Sequence, residues 1–333
     1  MHNSKPEPDP LAGHAGFETV RRLTDAQYGF VVLARDKATQ ELVAIRWFDN
    51  RLHRRDTRQD AQWIPLEDKD CIQRIAEQMR LVHPCLLDVR QALACPPYFG
   101  LVMECAPDGD AMEYVQQQGG LPEGEARWFF QQIVLAMDYL HAQGASCKDL
   151  RLEHAFLARQ PGSPWPRLKL RHFDYTGLLQ DLQDQFPHSR MGDYLAPEAI
   201  TQLEGGGKPA DAWAAGAMLY TLLYGHHPFE RPGDKSLPFA SRADYRLPDS
   251  PAISDACHDL LTRLLEKAPA KRLSIKGVME HPWFKQDLPA ELLRQHQEAL
   301  RRDHTPVQAE EQLRGIIDQV VAANARSAGV HHA

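Results

Sequence analysis

The residues best suited to chemistry lie in two short segments near the middle of the chain. Residues 147–154 read CKDLRLEH and include Cys147, Asp149, Arg151 and His154. Further along, the chain reads HFD from His172. A carboxylate can act as a general base, whereas imidazole and thiolate groups suit zinc, copper or nickel better than magnesium. The two segments therefore offer a base and several soft metal ligands, but few of the oxygen ligands that magnesium needs.

Two kinds of element surround these segments. Between residues 17 and 105, four short β-type runs predict strands, and one stretch at about 69–81 predicts a helix; the runs are FETVRRL, YGFVVLARD, LVAIRWF and YFGLVME. From residue 109 onward the pattern is helical, with Phe129, Ile133 and Met137 on one face. This order favours an α+β protein with a small β-rich part followed by a larger helical part.

Several motifs resemble those of protein kinases and occur in the same order. VAIR at 43–46 resembles V-A-I-K, and 147–154 resembles the catalytic loop H-R-D-L-x-x-x-N. His172 stands at the first position of D-F-G, and APE at 196–198 is intact. The resemblance covers residues 17–285 and implies a two-lobed α+β fold. It places an N-lobe at 17–105 and a C-lobe at 106–285.

Two longer stretches narrow the resemblance within the kinases. GEARWFFQQIVLAMDYLHAQGASCKDLRLEH and PWPRLKLRHFDYTG are similar to the plant and green-algal sucrose-non-fermenting-related serine/threonine kinases, specifically the osmotic-stress, abscisic-acid-linked subclass. The tail at 305–327 resembles the regulatory helix of that subclass. We therefore expect a disordered lead-in at 1–16 and a C-terminal extension at 286–333 with a helix at about 307–325. Its apolar stripe indicates docking on its own domain or, alternatively, on a partner.

The resemblance also implies a nucleotide pocket, although its loop has lost most of its glycines. Only Gly29 remains, and Asp25 adds a negative charge where phosphate oxygens would lie. Phe156 replaces a smaller aliphatic residue beneath the adenine and is expected to raise the pocket floor. The implied pocket positions are Gly29, Val31, Ala44, Arg46, Met103, Glu104, Cys105, Asp110 and Phe156.

The lysine–glutamate pair of the kinases is missing. Arg46 stands at the lysine position and Arg74 at the glutamate position. Two cations about 4 Å apart repel by about 4 kcal/mol at an effective dielectric constant near 20. Alternatively, Arg74 points to solvent, or Glu77 pairs with Arg46.

His154 and His172 occupy the two positions that bind magnesium in kinases. Since magnesium demands oxygen ligands, the sequence predicts that magnesium does not bind. Asp149 keeps the position of the catalytic base, with Arg151 in the same catalytic loop. One alternative is a transition-metal site made of Cys147, Asp149, His154 and His172. Another is that Asp174 acts as a displaced magnesium ligand.

Together these features favour a catalytically impaired pseudokinase that acts as a scaffold or allosteric partner in stress-type kinase signalling. The resemblance implies other protein kinases, phosphatases or their substrates as partners. The alternative is a weakly active or atypical serine/threonine kinase, in which Arg46 binds the phosphates of ATP and Asp149 is the base. A third interpretation is nucleotide binding without transfer. We expect that no cofactor is required, with ATP binding left open.

Composition limits the other possibilities. The 333-residue chain carries a net charge of −7 and contains no apolar run long enough to cross a bilayer. Neither nucleic acid nor membrane is therefore an expected partner. The six cysteines form no C-x-x-C pair, which is typical of reduced thiols in an intracellular chain. We expect a cytoplasmic location, a nuclear location or both.

Overall fold

The computed structural model describes most of the chain. The described residues are 9–26, 29–49, 69–145, 147, 150–172, 194–199, 207–229, 245, 247–248, 250–302 and 308–329. Asp149, Phe173 and Asp174 lie outside them.

In the described residues, the N-lobe is an antiparallel sheet with a helix packed against it. Its five strands run in the spatial order β1-β2-β3-β5-β4, and helix α1 spans Lys69–Met79. The strands are β1 (Phe17–Ala26), β2 (Gly29–Asp36), β3 (Leu42–Asp49), β4 (Val89–Cys95) and β5 (Tyr98–Glu104). On one face of the sheet, the apolar side chains pack against one another and against Leu11, and Trp47 and Ile45 are fully buried. The other face packs against α1.

The expected disorder of residues 1–16 is wrong for residues 9–16, and residues 1–8 lie outside the described part. The Asp9 carboxylate accepts hydrogen bonds from the Leu11 amide (3.0 Å) and the Thr19 hydroxyl (2.7 Å). These bonds form a turn that inserts Leu11, only 3% exposed, beside Phe17. Burial of one leucine is worth about 2 kcal/mol, which favours an ordered turn.

The C-lobe is helical around one large apolar core. A short 3₁₀ turn at Leu152–His154 precedes a two-stranded hairpin of β6 (Ala155–Ala158) and β7 (Arg167–Leu170). The helices are α2 (Ala111–Gln118), α3 (Glu123–Ala142), α4 (Gly207–Tyr224), α5 (Asp255–Leu264), α6 (Ile275–Glu280) and α7 (Pro282–Lys285). The predicted two-lobed α+β fold is confirmed.

A buried ion pair holds the intact APE motif in the C-lobe. The Arg272 guanidinium donates to both carboxylate oxygens of Glu198, at 2.5 and 3.0 Å, and to the Pro209 carbonyl at 2.7 Å. The Arg272 side chain is only 1% exposed. Removing one partner of such a pair leaves an uncompensated buried charge, so the pair fixes this part of the scaffold.

Two helices follow the C-lobe. Helix α8 spans Ala290–Arg301, and α9 spans Glu310–Gly329, where a helix at about 307–325 was expected. The α9 side chains Leu313, Ile317 and Val320 are fully buried against α1 and β4. Just before α9, the Gln308 side chain accepts a hydrogen bond from the Ala92 amide at 2.6 Å and donates to the Ala92 carbonyl at 3.4 Å.

The packing of α9 predicts that Ile317→Ala destabilises the protein. The side chain is 0% exposed, so its truncation should lower the free energy of unfolding by about 2–5 kcal/mol. Urea unfolding would measure this loss. Gln319→Ala, at an exposed position of the same helix, is the control and should change stability by no more than about 0.5 kcal/mol. Equal unfolding midpoints for the two variants would contradict the packing.

Candidate nucleotide and metal site

Strands β2, β3 and β5 place four of the predicted pocket residues together. Val31 lies opposite Arg46, and Ala44 lies opposite Met103. Because side chains opposite each other project from the same face of a sheet, each pair shares a face. The Arg46 guanidinium lies 5.0 Å from the centre of the Phe48 ring, within the range of a cation–π contact.

The remaining glycine of the loop has a structural role. A Cβ atom on Gly29 would lie 2.0 Å from the Trp47 carbonyl oxygen on β3. Any larger residue would therefore push β2 away from β3. Gly29 is needed for this close approach of the two strands, whether or not a phosphate binds.

The end of β5 is joined to the C-lobe hairpin by an ion pair. Lys169 Nζ lies 2.8 Å from Glu104 Oε1, and both side chains are largely buried. The Glu104 amide also donates to the Asp88 carbonyl at 2.8 Å. The next residue, Cys105, is half-buried, and burial raises the pKa of its thiol. A neutral thiol is a poor nucleophile and a poor metal ligand.

Two further predicted pocket residues, Asp110 and Phe156, form a β-bridge. The Asp110 carboxylate caps α2 by accepting from the Glu113 amide at 2.9 Å. Phe156 lies on the face of β6 opposite the buried Ala155 and Leu157. Its ring therefore does not join the C-lobe core.

His154, at a predicted magnesium position, is held between two arginines. Arg151 Nε lies 3.1 Å from each ring nitrogen. Arg171 Nη2 lies 2.9 Å from Nδ1 and 2.6 Å from Nε2. Since guanidinium groups only donate hydrogen bonds, the imidazole must present an acceptor nitrogen to them. His154 is only 8% exposed, so both guanidinium groups lie against a buried residue.

His172, at the other predicted magnesium position, is separate from this contact. Both ring nitrogens are shielded from solvent, and among the described residues neither makes a hydrogen bond of normal geometry. Burial lowers the pKa of His172 to about 4, and the backbone of Gln78 and Leu170 only partly offsets this effect. The Gln78 Oε1 atom is also buried without a partner in the described part of the chain. His172 therefore contributes a neutral ring at neutral pH.

The start of the catalytic loop is attached to α4. The Cys147 amide donates to Asp211 Oδ2 at 3.0 Å, and His141 Nε2 lies 2.7 Å from the same oxygen. Burial raises the pKa of the Cys147 thiol well above its usual range, with the Asp211 carboxylate adding to the effect. The predicted base, Asp149, lies outside the described residues.

The structure supports neither metal site proposed from the sequence within the part it describes. No group of three or more His, Cys, Asp or Glu side chains converges as a metal site among the described residues. Burial raises the pKa of the Cys147 thiol, which opposes the thiolate form that a metal ligand takes. The displaced-ligand alternative rests on Asp174, which is not described.

Sequence reasoning missed two residues of this region. Arg171 contacts His154, and Lys169 pairs with Glu104. Both precede the HFD segment at alternating positions. In a strand, alternate side chains share a face. Continuing the alternation of β7 past Leu170 would have placed Lys169 and Arg171 together, opposite the buried Leu168 and Leu170.

Comparisons with known proteins agree with this fold. Residues 17–284 match the family described as protein kinase domain. The chain therefore belongs to the protein kinase family.

Its relatives include plant serine/threonine kinases. It is 33% identical to serine/threonine-protein kinase SRK2H of Arabidopsis thaliana, over 87% of this chain and 78% of that protein. It is 34% identical to SRK2A of Physcomitrium patens, over 84% and 77%. It is 34% identical to SAPK5 of Oryza sativa subsp. japonica, over 83% and 72%. The predicted resemblance to this group of plant serine/threonine kinases is confirmed, and the chain is a serine/threonine-kinase-like protein.

The burial of His172 predicts a loss of stability in acid. Because its pKa falls from 6.5 to about 4 on folding, only the unfolded chain takes up the proton between these values. Its contribution is complete above pH 6.5 and declines as the pH falls, by about 2 kcal/mol at pH 5. Urea unfolding of wild type and His172→Leu at pH 7.5 and pH 5 measures this difference.

The matched control for this experiment is His258→Leu, at an exposed position of α5. It should keep the acid sensitivity of the wild type, whereas His172→Leu should lose about 2 kcal/mol of it. Identical pH dependence in the two variants would show that His172 protonates freely in the folded state.

Proposed function

We propose that this protein is a catalytically impaired kinase-like protein, a pseudokinase. The observation that carries the proposal is the contact of Arg151 and Arg171 with His154. At that position a kinase holds magnesium, which must be approached by oxygen ligands. A dication placed beside His154 would instead meet two guanidinium groups.

The repulsion between these positive charges and a dication supports the proposal that magnesium does not bind. Unit charges about 4 Å apart interact by about 4 kcal/mol at an effective dielectric constant near 20, and a dication doubles that value for each arginine. The neutral ring of His172 supplies no compensating charge. Without the metal ions, the phosphates lose a stabilisation worth several kcal/mol in the transition state.

The alternative function is a weakly active serine/threonine kinase. Two observations favour it. Arg46 lies on the same face of the sheet as Val31, where it can donate to a phosphate. The catalytic loop also keeps its attachment, because the Cys147 amide donates to Asp211. In this interpretation Asp149 is the base and the arginines replace the charge of the metal.

The scaffold part of the proposal rests on what the fold retains. The buried pair of Arg272 and Glu198 and the docked helix α9 maintain a stable surface without any role for a metal. We propose that this surface binds other protein kinases, phosphatases or their substrates in the cytoplasm, the nucleus or both. Neither nucleic acid nor membrane is a proposed partner. Among the described residues, no helix combines the length and apolarity that a membrane span requires.

A phosphotransfer assay distinguishes the two functions. With radiolabelled ATP, magnesium or manganese and a generic basic protein substrate, the wild type should transfer no more phosphate than Asp149→Asn. Transfer that Asp149→Asn abolishes would establish the weakly active kinase instead. Transfer that is equal and measurable in both proteins would come from a contaminating kinase.

Thermal unfolding with nucleotide tests the exclusion of magnesium directly. We expect any stabilisation by ATP to be the same in EDTA as in excess magnesium, because the metal adds no contact. Arg171→Ala removes one repelling charge and should make the ATP effect more dependent on magnesium. Arg159→Ala removes an exposed arginine next to the hairpin and is the control. A wild-type stabilisation that requires magnesium would contradict the proposal.

A further inference from the structure

Helix α8 buries a histidine in the middle of its apolar face. Leu292, His296 and Ala299 recur at helical spacing and are 1%, 2% and 7% exposed. Burying an imidazole costs free energy unless both ring nitrogens find partners. His296 therefore needs a specific set of contacts to be stable where α8 packs on α3.

These contacts form a buried chain of hydrogen bonds. The Cys85 amide donates to His83 Nδ1 at 3.1 Å, so the proton of this ring must be on Nε2. His83 Nε2 lies 3.2 Å from His296 Nδ1. His296 Nδ1 is then the acceptor, and its Nε2–H points to Asp138 Oδ2 at 3.4 Å. Each link fixes the tautomer of the next.

Neighbouring bonds agree with this assignment. Burial lowers the pKa of His83 to about 3, so the ring is neutral as the chain requires. The hydrogen bond from His296 lowers the pKa of Asp138, as expected for a carboxylate acceptor. The His83 ring also stacks on Tyr139, with the ring centres 5.1 Å apart.

The loop at residues 82–87, which contains His83 and Cys85, is joined to the candidate site. The Val82 amide donates to the Tyr139 hydroxyl at 3.1 Å. The Leu170 amide donates to the Cys85 carbonyl at 2.8 Å, and Leu170 is followed directly by Arg171 and His172. The loop begins a few residues after α1 ends at Met79. It therefore lies between α1 and the segment that carries the candidate metal position.

We propose that His296 is a positioning residue by which the C-terminal extension locks the loop 82–87 against the C-lobe. The lock consists of the directed chain Cys85 amide, His83, His296 and Asp138. It fixes the end of α1 relative to β7 and hence to Arg171 and His172. The inference is independent of the proposed function, because it holds whether or not the cleft transfers phosphate.

Hydrogen–deuterium exchange of the full chain tests the lock. His296→Leu removes both polar contacts and should raise amide exchange in 82–87 by about tenfold. His296→Gln supplies an acceptor oxygen and a donor amide, so exchange there should stay within about threefold of wild type. Gln297→Leu, at the adjacent exposed position of α8, is the matched control and should leave exchange unchanged. Equal exchange in His296→Leu and Gln297→Leu would overturn the proposal, as would equal exchange in His296→Leu and His296→Gln.

A second measurement needs no variant with an altered core. In the wild-type chain labelled with ¹⁵N-histidine, long-range ¹H–¹⁵N spectra at pH 7 report the tautomer of each ring. We expect the rings of His83 and His296 each to carry a proton on Nε2 and none on Nδ1. Resonances of the Nδ1–H tautomer or of a charged ring at His83 would overturn the directed chain, even if His296→Leu fails to fold.

Discussion

The geometry of the cleft depends on one buried carboxylate, that of Asp211. This side chain lies on α4, is 4% exposed, and accepts from both the Cys147 amide and His141. Burial raises its pKa, and the two hydrogen bonds oppose that effect. A carboxylate in the core is stable only when its oxygens are satisfied, so the loop amide must remain in place. The start of the catalytic loop is thereby fixed to α4, which is buried from Asp211 to Tyr224.

The chain keeps the scaffold of a kinase, whereas two positions of its candidate site carry histidine. A kinase fold needs the Asp211 contacts, the pair of Arg272 and Glu198 and the packed helices, and all of these are present. Phosphoryl transfer additionally needs metal ions held by oxygen ligands. At the corresponding positions this chain has an imidazole contacted by two guanidinium groups and a second imidazole whose ring nitrogens are buried. Loss of metal ligands need not cost stability, because the replacements are packed into the same fold.

The fold could be predicted from the sequence because the helices and strands have regular apolar periodicity and the motifs occur in a fixed order. Strand β4 is the exception, since VRQALAC buries only Val89 and Ala92 and lacks a clear alternation. The identity of the candidate site residues was also readable, but their contacts were not. The approach of Arg171 to His154 joins positions 17 residues apart in sequence. The link between His296 and His83 joins positions 213 apart, and no local pattern carries that information. The turn at Asp9 was missed because Leu11 is buried in a cluster that includes Tyr98 and Val102, which are far away in the sequence.

Gln308 has a consequence for the behaviour of the protein in concentrated solution. Strand β4 ends the sheet, and the unpaired edge of a sheet can recruit strands from other molecules. The side-chain amide of Gln308 occupies the Ala92 amide and carbonyl on that edge, while the following helix covers the apolar groove beside it. The C-terminal segment thus covers this edge and opposes edge-to-edge aggregation. A chain shortened before Gln308 would expose the unpaired edge of β4 and the apolar surface beside it. It would be prone to self-association even with its C-lobe intact.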